Sequence, residues 1–172
     1  LSKNSYILDA GCGNGKNMYR DDCEFIGGDF CGKFLEITQK KNKEVIQFNT
    51  KTIPFRDNTF DSVISIAVLH HICSKIQRIN SIKELVRVTK PKGKILISVW
   101  GVHKNFQEGD NYIKWELQSK YNGTTEKKVY QRYYYLYTKD ELLNDIIKNI
   151  SNVNVLNHYS NFNNRFIVLE KI

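Results

Sequence analysis

Apolar residues along this chain occur in short runs and in stretches with a helical repeat, and the two kinds alternate. The first run, Tyr6–Ala10, reads as a buried strand, followed by a glycine turn and a short helix from about Lys16. A second strand is expected at Glu24–Asp29, with Phe34, Leu35 and Ile37 marking a helix after it. Residues 45–48 form a third strand, 52–59 a loop and Phe60–Ile66 a fourth strand, apolar enough through Val63, Ile64 and Ile66 to lie centrally. Ser74 and Gln77 have the spacing of a capping box, and Ile76, Ile79, Ile82, Leu85 and Val86 then recur at helical intervals. That helix ends near Lys90-Pro91-Lys92-Gly93, and a fifth strand fills 94–100. Residues 101–130 carry only scattered apolar positions and read as a polar insertion or lid. Thr138 and Glu141 repeat the capping-box spacing before a helix through Leu142, Leu143, Ile146, Ile147 and Ile150. Two closing strands, 153–159 and 166–170, flank the turn Asn161-Phe162-Asn163-Asn164.

Strands alternating with helices predict an α/β fold, a doubly wound, mostly parallel seven-stranded Rossmann-like sheet ending in an antiparallel hairpin. A length of 172 residues suits one domain spanning 1–172. No helix precedes the first strand and Leu1 is not a natural start, so an N-terminal truncation is expected. No apolar run approaches the ~18 residues of a membrane helix, so no membrane partner is expected. Cys12, Cys23, Cys31 and Cys73 make no C-x-x-C pair, and His70, His71, His103 and His158 supply no matching ligand spacing. No metal site is expected, and reduced thiols point to the cytoplasm, with the nucleus second. The formal charge of +8 favours an anionic partner, nucleic acid first, against the alternative of a solvated lysine-rich surface.

In a doubly wound sheet the ligand sits at the carboxyl ends of the strands, where this chain places Gly11, Gly13 and Gly15 and, one strand on, Asp29. A dinucleotide site wants G-x-G-x-x-G, but position 16 is Lys and the third glycine comes one residue early. Asp29 is placed to accept hydrogen bonds from two ribose hydroxyls. Asp9, at the first strand's end, suits the turn or, through water, a ligand's ammonium group.

Residues 7–15, the set Ile53-Pro54-Phe55 before Phe60-Asp61, and Arg87-Val88-Thr89-Lys90-Pro91-Lys92-Gly93 resemble the successive motifs of class I methyltransferases. The resemblance implies S-adenosyl-L-methionine as cofactor. It implies contacts from Asp9, Gly11, Cys12, Gly13, Asn14 and Gly15 around the methionine part, and from Asp29 and Phe30 at the ribose. Asn49 and Thr50 then lie near the adenine, Asn49 through its amide oxygen where relatives often carry Asp, and Ala67 and His70 complete the cofactor set. Residues 65–71, Ser-Ile-Ala-Val-Leu-His-His, lack the Asn/Asp-Pro-Pro-aromatic box of exocyclic-amine methylation and any Pro-Cys nucleophile. They are similar instead to the tRNA wobble-uridine carboxymethyl O-methyltransferases, including the domain fused to some AlkB-type oxygenases. Residues 131–137, Gln-Arg-Tyr-Tyr-Tyr-Leu-Tyr, and 164–168, Asn-Arg-Phe-Ile-Val, resemble two further stretches of that family. Tyr135 stands where relatives usually carry His, and Arg165 where they usually carry an aromatic residue.

A carboxymethyl acceptor is already an anion at neutral pH, so the protein's task is alignment rather than deprotonation. On this reading Arg132 grips the carboxylate with its planar fork, His71 adds a second donor, and Tyr134 stacks on or bonds the uridine. Bland readings stand beside these: Tyr133 to Tyr137 as packing, Arg132 as a surface ion pair, His70 as a packing histidine and Trp100 as core. Within 101–130, Lys104, Lys114, Lys120, Lys127 and Lys128 beside Tyr112, Trp115 and Tyr121 suit a tRNA anticodon loop, diluted by Glu108, Asp110, Glu116 and Glu126. The family also implies a small zinc-binding activator subunit added along the apolar edge strand 45–48. Methylation of a small carboxylate or other metabolite, and a non-catalytic scaffold, are the competing functions.

Overall fold

The computed structural model describes residues 3–116 and 129–172. Seven strands form one sheet in the order β3-β2-β1-β4-β5-β9-β8. β1 (Tyr6–Ala10), β2 (Glu24–Asp29), β3 (Glu44–Gln47), β4 (Phe60–Ile66) and β5 (Thr89–Trp100) run parallel. β8 (Val153–Asn161) and β9 (Asn164–Lys171) close the sheet as an antiparallel hairpin, β9 lying against β5. The order reverses between β1 and β4, which opens a crevice at their carboxyl ends.

Helices α1 (Gly32–Gln39), α2 (Lys75–Val88) and α3 (Glu141–Asn149) cover the sheet. The main core joins Leu8, Val63, Ile95, Ile97, Ile167 and Leu169 of the strands to Ile82, Leu85 and Val86 of α2 and Leu142 and Ile146 of α3. A smaller cluster of Cys12, Met18 and Leu35 lies under α1. The buried Asp145 of α3 pairs with Lys75 of α2 at 2.7 Å, fastening the two helices.

Four expectations are corrected. No helix follows the glycine turn at Lys16: residues 13–17 stay in turns, the Met18 N–H reaching back only as far as the Gly15 carbonyl at 3.2 Å, and residues 18–20 take no regular structure. β5 begins at Thr89 rather than 94, its pairing with β4 shifting between Phe60 and Ser62. The expected polar insertion contains a strand, β6 (Gly109–Glu116), which pairs antiparallel with β7 (Val129–Leu136) as a separate two-stranded ribbon. Thr138 caps nothing with its side chain: Glu141 instead accepts from the Thr138 N–H at 3.2 Å, and the helix starts at Glu141. Ser74, by contrast, caps α2 as its spacing implies, accepting from the Gln77 N–H. Lys120, Tyr121, Glu126, Lys127 and Lys128 lie outside the described residues.

The methyltransferase-like motifs meet in space as braces. Arg87 donates to the carbonyls of Ile53 and Phe55 at 2.8 Å each and pairs with Glu84 and Asp57, so α2 holds the 53–57 loop. Lys90 pairs with Asp61 at 2.6 Å, and Asp61 also accepts from the Tyr6 N–H.

Candidate active site

The crevice at the switch point is a cleft of about 530 Å³. Of the residues expected at a site, Gly11, Gly13, Asp29, Phe30, Asn49, Thr50, Ala67, His71 and Arg132 line it. Phe48 and Val68, which belong to the segments expected near the adenine and the transferring methyl, line it as well, as do Cys31, Phe34, Lys51, Ile72, Cys73 and Gln77, which the sequence did not single out for it.

The glycine loop is fixed by its neighbours. The N–H groups of Gly11 and Cys12 both donate to the Gly28 carbonyl, at 2.7 and 2.9 Å. Asp29 accepts from the Gly13 N–H at 2.9 Å through one oxygen and from the Cys31 N–H at 2.8 Å through the other. Thr38 of α1 donates to the Gly13 carbonyl and Lys41 to that of Asn14. A methyl group at Gly11 would meet Val68 Cγ2 at 2.1 Å, so that glycine lets the loop after β4 close against it. A methyl at Gly13 would meet nothing within 4 Å, since that position opens on the cleft.

Cys12, Asn14, Gly15, Asp9 and His70 are not on the cleft wall. Cys12 is buried against Gly27, and burial pushes its thiol up to about 12. Gly15 packs on Thr38. Asp9 is fully buried beneath the loop, and neither of its oxygens completes a hydrogen bond to a described residue. Burial raises its carboxyl to about 7, against an opposing pull from the nearby Asn17 amide, with Asp29 pushing the same way as burial. Asn49 already spends its amide oxygen on the Lys51 N–H at 3.1 Å, so the free lone pair and the amide N–H groups are what it offers a ligand.

Rings surround the residues expected to meet a methyl acceptor. His70, 1% exposed, accepts from the Trp100 N–H at 3.0 Å, and burial lowers its imidazole to about 2. His71 presents an edge to the cleft, while its Nδ1 lies 3.2 Å from the Tyr133 carbonyl. A carbonyl only accepts, so Nδ1 carries the proton and Nε2 of the neutral ring has none. Burial lowers the His71 pKa, partly offset by the Tyr133 bond, and Arg132 lowers it further. The second donor expected at His71 is therefore, in the neutral ring, an acceptor at Nε2. Tyr134 is buried rather than on the cleft wall, stacked on Trp100 with centroids 4.6 Å apart at 12° and lying 4.6 Å from the His71 ring. Trp100, read from sequence as core, is 39% exposed and lines a second cleft. Arg132 reaches the first cleft from β7, with its guanidinium 4.9 Å over the Trp115 ring of β6. It makes no ion pair among the described residues.

Two features escaped the sequence reading. Arg78, 2% exposed, donates to the carbonyls of Ile72 and Cys73 at 3.0 and 2.8 Å and lies 3.6 Å over the Tyr135 ring. It ties the loop after β4 to β7, and its signal was a charge on the stripe of Ile82 and Leu85. Ala67 holds φ +61°, a strained conformation for a side-chain-bearing residue, at the end of β4 where the cleft begins.

The family model described as a methyltransferase domain matches residues 8–97. A tRNA (carboxymethyluridine(34)-5-O)-methyltransferase of Arabidopsis thaliana is 42% identical over 123 residues, covering 70% of this chain and 30% of that protein. Its Schizosaccharomyces pombe namesake is 31% identical over 192 residues, covering 99% of this chain and 83% of that protein. The chain thus spans less than a third of the Arabidopsis relative's length. Among solved structures, the complex between the Haloferax volcanii Trm112 methyltransferase activator and its methyltransferase contains a chain that superposes with a TM-score of 0.72 at 12% identity, covering 99% of this chain and 84% of that one, a likeness of fold.

Proposed function

The chain belongs to the methyltransferase-domain family, and from that premise we propose that it converts the carboxymethyl group of a wobble uridine in tRNA into its methyl ester. The observation that carries the reading is the meeting, in one cleft, of the Asp29-braced glycine loop with Arg132, a cation delivered from a separate ribbon. The cleft fits S-adenosyl-L-methionine: a buried, unsatisfied Asp9 lies under the loop, Gly13 is open to the cleft, and Phe30 stands 73% exposed at the end of β2. When bound, that cofactor supplies a methyl group on a sulfonium. Asp29 retains a lone pair on each oxygen for ribose hydroxyls, and Asp9 offers negative charge toward an ammonium group.

On the acceptor side Arg132 binds the carboxylate through two parallel hydrogen bonds and sets which oxygen faces the donor. No residue needs to remove a proton from that acceptor. His71 Nε2, as an acceptor, suits an uncharged N–H or O–H of the uridine and disfavours a close second anion. Tyr134 acts from behind as a positioning residue, holding the His71 ring.

The edge strand β3, with Ile46 37% exposed, is where an activator subunit, small and zinc-binding in this reading, would add a strand. The four free cysteines fit a reducing cytoplasm. The test is nucleoside mass spectrometry of ester-free tRNA incubated with S-adenosyl-L-methionine, with and without an activator subunit. The methyl ester of 5-carboxymethyluridine is expected. Its absence under both conditions, with the cofactor bound, removes the reading.

A further inference from the structure

A second cleft, of about 450 Å³, is lined by Trp100, whose ring stacks on Tyr134 behind the His71 of the first cleft, and the function above makes no use of it. Its size is within the roughly 300–1,000 Å³ usual for small-ligand sites. Trp100 lines it while Tyr134 stacks against the indole, so the exposed part of Trp100 opens to this side. Phe106, 36% exposed, and Phe162, 93% exposed, complete an aromatic rim. Phe162 also holds φ +50° at the β8–β9 turn. A bulky residue at positive φ is strained, and one in water forgoes burial, so this position carries both costs at once.

A cation, Arg165, lies against the Gly101 part of the wall without itself lining the cleft. Gly101 lines the cleft, and a methyl group there would stand 2.6 Å from the Arg165 Cζ, so the absence of a side chain lets the guanidinium come close. Arg165 Nε is buried with no hydrogen-bond partner, and no ion pair of Arg165 occurs among the described residues. The exposed Lys104 adjoins His103 of the wall, in a chain of charge +8. Stacking rings beside an uncompensated guanidinium match a flat, oxygen-rich base on a phosphodiester. An apolar polypeptide segment would cover the rings and leave the charge uncompensated.

We propose that this cleft holds a second, unpaired nucleotide of the RNA acceptor, its base against Trp100 and Phe162 and its oxygens toward Arg165. The inference rests on the tRNA reading above and adds to it a subsite outside the reacting centre. Occupancy of both clefts would splay two nucleotides of one loop apart, which presents the acceptor base singly.

The test measures affinity of the full protein, with its activator subunit, for an anticodon stem-loop RNA. Phe162→Ala and Arg165→Gln are each expected to weaken binding roughly 5- to 100-fold, with cofactor affinity and methylation of the free carboxymethyluridine nucleoside unchanged. Stem-loops carrying one abasic site at each loop position in turn give the second arm. One position should lose affinity in the wild type and little more in Phe162→Ala. Unchanged stem-loop affinity in Phe162→Ala, or losses that add at every position, overturns the subsite. Equal loss on the free nucleoside also overturns it. Wild-type protein that binds the stem-loop without esterifying it removes the acceptor assignment while leaving the subsite measurable.

Discussion

The two sides of the active cleft are made differently. On the donor side, backbone groups do the work, held by carboxylates and short-range packing: Asp29 bonds the Gly13 and Cys31 N–H groups, Gly28 accepts twice from the glycine loop, and Asp9 waits unsatisfied below. On the side proposed for the acceptor, side chains from three distant segments converge. His71 comes from the turn after β4, Tyr134 and Arg132 from β7, and Trp100 from the end of β5. Donor binding and acceptor alignment should therefore separate under mutation, because different segments build them.

Arg132→Ala is the largest test of that separation. It should lower kcat/KM for tRNA on the order of 100- to 1,000-fold, the cost of losing a charged clamp and its alignment, while calorimetry shows cofactor affinity unchanged. Equal losses would mean that the guanidinium supports the cleft rather than the substrate. Asp29→Ala is the converse case. It removes the acceptor of two backbone N–H groups and should weaken cofactor binding roughly 10- to 100-fold. Saturating cofactor should then restore most of kcat, and failure to do so would join the two sides.

Asp9 gives the smallest and most graded effect. With its carboxyl raised to about 7, the unliganded protein binds a proton there below that pH. A cationic ligand end favours the ionised form, so affinity should be flat above pH 7 and fall by up to about tenfold per unit as pH drops below it. Calorimetry between pH 5.5 and 8.5, in roughly half-unit steps, would show the slope, and Asp9→Asn should abolish it. The same shift sets stability: the folded chain holds this proton more tightly than the unfolded one. That contribution is present below the ordinary carboxyl range and is lost as pH rises through about 7. Burial lowers the His71 imidazole, the opposite direction to Asp9.

How much was legible follows the same division. The glycine loop, Asp29 and the succession of strands along the chain were readable because their signals are local: a run of apolar residues, a glycine where φ turns positive, an acid at a strand end. The 101–116 stretch was not, since in β6 half-buried and exposed positions alternate on a ribbon that joins no main sheet, and few of the inward residues are aliphatic. Arg78 was missed for a related reason, its charge being satisfied by carbonyls of a loop that sequence spacing cannot locate. Tyr134 was placed on the cleft wall by resemblance, but packing put it behind His71, since stacking on Trp100 buries the ring.

The sequence alone determined an α/β sheet with a switch point, a glycine loop unsuited to a dinucleotide, and an acid poised above it, because each is a property of neighbouring residues. Tertiary structure alone decided which nitrogen of His71 keeps its proton, that Asp9 is buried with an elevated carboxyl, and that Arg132 faces the donor loop. Each of those depends on what surrounds a group from segments far along the chain, and desolvation and charge act through space.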